Sequence, residues 1–116
     1  MKTIGKTIDF EIFAAVDIRV GTVVRAELLE GARKPAIKLE IDLGGEFGKK
    51  WSSAQLTVHY TPEVLVGKRV CAVVNFAPKR IAGFESQVLV LGFADAAGAV
   101  VLIAPDHDVA NGARLY

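Results

Sequence analysis

The chain has 116 residues, 52% of them hydrophobic and 23% charged, with a formal net charge of +1. This length suits one domain, and the composition is too apolar and too charge-balanced for a disordered, collagenous or low-complexity chain. One cysteine cannot form an internal disulfide, and Met1 to Phe10 lack the apolar stretch of a signal peptide, so a cytoplasmic protein is expected.

The first predicted element is a short helix over Asp9–Val16, with Asp9 as its cap and Phe10, Phe13 and Val16 on one stripe. From Ile18 to Glu27 the residues alternate with period two. Ile18, Val20, Thr22, Val24 and Ala26 fall on one face, and Arg19, Gly21, Val23, Arg25 and Glu27 on the other. Ile37–Leu43 alternates more cleanly, setting Lys38, Glu40 and Asp42 against apolar neighbours, the pattern of a strand with one face in water. Trp51–Val58 is the third predicted strand, with Ala54, Leu56 and Val58 on one face and Ser53, Gln55 and Thr57 on the other. Thr61–Gly67 then reads as a helix, with Thr61 as cap, Pro62 at the first helical position and Gly67 at the stop. Arg69–Asn75 and Gln87–Phe93 are more uniformly apolar, as strands covered on both sides would be, and Ala99–Ile103 is a final strand. Asn75–Phe84, between them, reads as a loop carrying Phe76, Ile81 and Phe84.

Five strands with a helix between the third and fourth have the connectivity of an OB-fold, an all-β Greek-key barrel, here with an N-terminal helix and a C-terminal strand as extensions. Periodicity alone also allows an SH3-like barrel or a small sandwich. No repeat or linker divides the chain, so residues 1–116 are expected to form one domain, with the barrel spanning about 17–93.

Val88 to Ala104 holds one charged residue, Asp95, in 17 positions. That is short of the roughly 20 residues that span a bilayer, and Asp near the centre would cost about 3 kcal/mol. Asp95–Gly98 reads instead as a turn between two buried strands. No membrane insertion is expected. The apolar excess needs cover from another protein, for instance a second copy of the chain.

Few residues point to catalysis. His107 stands between Asp106 and Asp108 but lacks the second histidine or thiolate that would complete a metal cage. Cys71 lies in an apolar strand and reads as a buried, inert thiol. No nucleophile elbow or phosphate loop is present, so no enzyme and no cofactor is expected. The basic residues come in pairs at predicted strand ends: Arg33 with Lys34, Lys49 with Lys50, Lys68 with Arg69 and Lys79 with Arg80, with Lys38 on an exposed face. Gathered on one side they could meet phosphates; dispersed they only solubilise. Ser52, Ser53 and Gln55 offer hydrogen bonds beside Trp51, and Phe76, Ile81 and Phe84 either plug the barrel or line a pocket.

Asp17-Ile18-Arg19-Val20-Gly21-Thr22-Val23, followed by Ala26-Glu27, resembles the opening of the tRNA-binding domain family, an OB-fold module. Pro62 to Val70 and Val74 to Ser86 continue the resemblance in order. Within that family, Ala32 to Leu39 and Lys50-Trp51-Ser52-Ser53-Ala54-Gln55 are similar to the CsaA branch of bacterial chaperones linked to protein secretion. With Val88 to Gly92 the resemblance runs from Phe10 to Ala104. Many synthetase-type modules carry Gly-Met after the serine equivalent to Ser86, and Ser-Gly in the third strand. This chain has Gln87-Val88 and Ser52-Ser53-Ala54-Gln55, which suit the chaperone branch better.

The resemblance implies a homodimer of barrels with the extensions at its interface. It also implies unfolded secretory precursor segments and tRNA as ligands. For peptide the expected residues are Trp51, Phe76, Ile81 and Phe84, with Ser53 and Gln55 bonding its backbone. For tRNA they are Arg33, Lys34, Lys38, Lys49, Lys50, Asn75, Lys79, Arg80 and Ser86. A free-standing structure-specific tRNA-binding protein is the alternative.

Overall fold

The computed structural model describes residues 3–116. Helix α1 (Phe10–Ala14) is a single turn and a half that buries none of its residues. Strand β1 (Ile18–Leu28) is the centre of the molecule, because it pairs antiparallel with two partners in turn. Its second half, Thr22 to Leu28, pairs with β2 (Ile37–Asp42), and its first half, Ile18 to Thr22, with β4 (Arg69–Val73). β3 (Lys49–Ala54) continues from β2, and the one-turn helix α2 (Pro62–Leu65) precedes β4. Leu65, the last residue of α2, is fully buried in the core.

β2 shows the alternation expected of it: Ile37, Leu39 and Ile41 are fully buried, while Lys38, Glu40 and Asp42 stay partly exposed. β1 departs from simple alternation. Its register to β2 shifts between Val23 and Arg25, a β-bulge. The extra residue flips the pattern, so Val23 is buried in the core although it has the same parity as exposed Arg25.

After β4 come β5 (Lys79–Ile81), β6 (Phe84–Ser86), β7 (Leu89–Val90), β8 (Gly92–Ala94) and β9 (Val100–Leu102). β3, β2, β1, β4 and β7 form one five-stranded sheet in that order. The sheet curls into the nearly closed barrel of an OB-fold, packed around Val23, Ile37, Leu39, Ile41, Leu43, Leu56, Leu65, Val70 and Val88.

Several expectations are corrected. The third strand ends at Ala54, because the Leu56 N–H bonds back to the Ala54 carbonyl and the Tyr60 N–H to the Leu56 carbonyl. Val58 lies on the resulting turn and is 74% exposed. Asp9 and Thr61 stand at helix N-caps, yet neither side chain makes a capping hydrogen bond. Asn75–Phe84 is not one loop, for β5 and β6 form a hairpin across it. Its two-residue turn has positive φ at both Ala82 (51°) and Gly83 (79°), the twist that a tight hairpin requires. The segment after Val88 is not covered on both sides within one chain. β8 and β9 pair only with each other, and Phe93 is 70% exposed. Ser52 faces inward, fully buried, instead of sharing a polar outer face with Ser53.

The C-terminal segment carries a pairing that periodicity does not announce. The Val20 N–H bonds to the Ala113 carbonyl, while the Gly112 and Leu115 N–H groups bond to the Val20 and Ile18 carbonyls. This run occupies the edge of β1 that β2 leaves vacant before Thr22. Among the described residues, no helix is long and apolar enough to cross a membrane.

Candidate functional site

Four successive antiparallel pairings leave β3 and β7 pointing the same way at the two ends of the sheet. The barrel closes just before β7 begins. The Gln87 N–H donates to the Trp51 carbonyl at 2.7 Å, and the Trp51 N–H donates to Gln87 Oε1 at 2.9 Å. The Ser53 N–H donates to Ser86 Oγ at 3.2 Å. Side chains thus take two of the places that a regular backbone ladder would fill. Past Ser53, β3 and β7 are not hydrogen-bonded neighbours, and the seam opens.

A groove of about 710 Å³ lies along that opening. Ser53, Ala54, Gln55 and Leu56 form one wall, Leu89, Val90 and Val100 the other, and Ile81 with Ala82 closes one side. Gly31 to Lys34 complete the rim, where Arg33 and Lys34 are both exposed. The structure therefore brings together Ser53, Gln55 and Ile81, expected for peptide, with Arg33 and Lys34, expected for tRNA.

Trp51 and Phe84 lie elsewhere, on the outer face of the sheet. Their rings meet edge to face, 5.7 Å between centroids at 88°. The Arg25 guanidinium lies 5.4 Å from the Trp51 ring centre and Lys38 Nζ 5.8 Å from that of Phe84. Register explains the cluster, since Glu27 stands opposite Lys38 and Glu40 opposite Trp51. Glu27 pairs with Arg25 at 2.7 Å and Lys38 at 3.4 Å, and these cations, Arg25 foremost, hold its carboxyl below the usual carboxylate range. In sequence Arg25 and Glu27 only share one face of a strand with Arg19, Gly21 and Val23. Nothing local showed that Trp51 would come beside them.

The remaining residues are scattered. Lys50, Asn75 and Phe76 line a separate depression of about 350 Å³. Both ends of the Asn75 amide are engaged: Oδ1 accepts from the Asp17 N–H at 3.0 Å and Nδ2 donates to the Ala15 carbonyl at 2.7 Å. Lys49 and Lys79 are exposed, and Arg80 donates to the Gly83 carbonyl within its own hairpin while lying 3.9 Å from Glu85. Ser86 is used in closing the barrel.

Of the groups considered for chemistry, Cys71 is buried, and desolvation raises its thiol pKa. His59 Nε2 donates to Asp95 Oδ2 at 2.6 Å, tying the turn after β3 to the β8–β9 hairpin, and the Leu102 N–H donates to the Tyr60 hydroxyl at 3.0 Å beside it. Among the described residues, no group of three or more His, Cys, Asp or Glu side chains is placed to hold a metal ion.

A family model described as "Putative tRNA binding domain" matches residues 18–114. The methionine–tRNA ligase of Porphyromonas gingivalis is 38% identical over 112 residues, 97% of this chain but 16% of the ligase. The chain thus spans only about 16% of the length of that curated relative. The crystal structure of the chaperone CsaA from Bacillus anthracis superposes with a TM-score of 0.89 and 52% identity, covering 96% of this chain and 100% of that one. The CsaA chaperone protein of Picrophilus torridus gives a TM-score of 0.89 at 43% identity, covering 95% of this chain and all of its own.

Proposed function

The chain belongs to the tRNA-binding domain family, and from that premise we propose that it is a non-catalytic chaperone of the CsaA type. Its ligands in this reading are unfolded segments of export-bound precursors, held in the cytoplasm. The observation that carries the reading is the groove at the open seam between β3 and β7. Its lining is mostly aliphatic, and Ser53 and Gln55 stand on one wall to bond a peptide backbone. The full-length likeness to two CsaA chaperones supports the same reading. Assembly as a homodimer would cover the apolar residues outside the barrel, Phe10 and Phe13 on α1 with Phe93 and Val101 on the β8–β9 hairpin, all of them exposed in the single chain.

A second reading, direct tRNA binding, is favoured by the outer cluster of Arg25, Trp51, Phe84 and Lys38. Aromatic faces flanked by cations suit stacked bases and phosphates.

One comparison separates the two. Binding of an unfolded peptide of about 20 residues and of tRNA is measured at low and moderate salt. Salt-tolerant peptide binding that weakens about tenfold in Ile81→Ser supports the chaperone. Salt-steep tRNA binding lost in Lys38→Ala with Trp51→Ala supports the second reading. Absence of both overturns the proposal, and a monomer in sedimentation at micromolar concentration overturns the dimer.

A further inference from the structure

The groove has a marked charge asymmetry. Its rim carries Arg33 and Lys34, and no Asp or Glu is among its lining residues. Neither cation has a carboxylate within ion-pairing distance among the described residues. Of the acids near in sequence or space, Glu30 lines the neighbouring depression beside Phe84, and Glu85 faces Arg80. No aromatic ring lines the groove, so nothing in it would stack a base.

Resting on the peptide-binding reading, we propose that this groove selects extended segments in which aliphatic side chains are flanked by Asp or Glu. The aliphatic side chains lie against Leu56 and Val90 on the two walls and Ile81 at the closed side. The flanking carboxylates then reach Arg33 and Lys34 at the rim. Segments rich in Lys or Arg meet like charge there, with no acid inside the groove to offset it. Because both rim cations are exposed, each pair contributes modestly and is screened by salt. Charge therefore sets preference, and the apolar lining sets binding.

The test uses the intact protein and three labelled peptides of about 12 residues, identical except that Val-Leu pairs are flanked by Asp, Asn or Lys. At low salt the Asp peptide binds about fivefold more tightly than the Asn peptide, and the Lys peptide binds most weakly. The Asp-to-Asn ratio falls toward one at about 0.5 M salt, where the Debye length has shrunk to about 4 Å. Arg33→Ala with Lys34→Ala brings the Asp-to-Asn ratio at low salt to about one and lifts the penalty on the Lys peptide. Equal binding of the Asp and Asn peptides to the native protein overturns the charge selection but leaves the chaperone reading standing. Failure of all three peptides to bind overturns both. If the Asp and Asn peptides bind equally while the double variant loses tRNA binding, the rim serves phosphates and the proposal falls.

Discussion

Trp51 on β3 and Phe84 on β6 meet edge to face with their ring centroids 5.7 Å apart, although 33 positions separate them in the chain. They belong to different sheets, because β6 pairs only with β5. Their contact, with the Trp51–Gln87 hydrogen bonds behind it, joins the β5–β6 hairpin to the barrel and sets where the seam stops closing. An edge-to-face pair contributes about 1 kcal/mol beyond the area it buries.

A double-mutant cycle on Trp51→Leu and Phe84→Leu should therefore return a coupling of about 1 kcal/mol in urea unfolding. Trp51 is the only tryptophan, so its fluorescence reports the site directly. Phe84→Leu should shift its emission in the folded protein. Additive single effects, or unchanged emission, would show that the two rings are not coupled in solution.

Gly21 is predicted to be intolerant of any side chain. A β-carbon there would lie 2.5 Å from Ile41 Cγ2 and 2.8 Å from the Asp42 carbonyl oxygen, where β1 crosses from one partner strand to the other. Gly21→Ala should cost about 2 kcal/mol or more, read from the urea midpoint. Gly45→Ala is the control, because a β-carbon at Gly45 has no neighbour within 4 Å. Equal midpoints for the two variants would refute the close approach.

The β8–β9 hairpin should loosen in acid. The hydrogen bond from His59, with backbone N–H groups of Ala99 and Ala97, holds the Asp95 carboxyl below the usual carboxylate range. A depressed folded value means the stabilisation is complete above the ordinary Asp pKa, about 4, and is lost as pH falls through the lowered value. Amide protection at Ala97 and Ala99 should decline across that acid window. Asp95→Asn should begin with lower protection and lack the decline. Parallel acid curves for the two proteins would exclude Asp95 as the cause.

Much of the barrel is legible in the sequence. Ile37, Leu39 and Ile41 are buried as their alternation demands, α2 begins at Pro62, and Gly67 follows with φ of 93°. The Asp95–Gly98 turn also stands where Gly and Asp predicted it, joining two strands. The misreadings come from local irregularities. The bulge after Val23 reversed a face assignment that strict period two made wrong. Asn75 to Phe84 read as plain loop because β5 and β6 are only three residues each, too short to show an alternation.

The candidate site was legible as residues and not as places. Sequence by itself determined which side chains can be apolar floor, cationic rim or aromatic platform, since those properties belong to each residue alone. Only the tertiary structure decided their grouping: Arg33 and Lys34 with Ser53, Gln55 and Ile81 at the groove, and Trp51 and Phe84 with Arg25 and Lys38 outside it. The physical reason is that local patterns depend on neighbours along the chain. The groove instead depends on where two strands at opposite ends of one curled sheet meet at Trp51 and Gln87, then part.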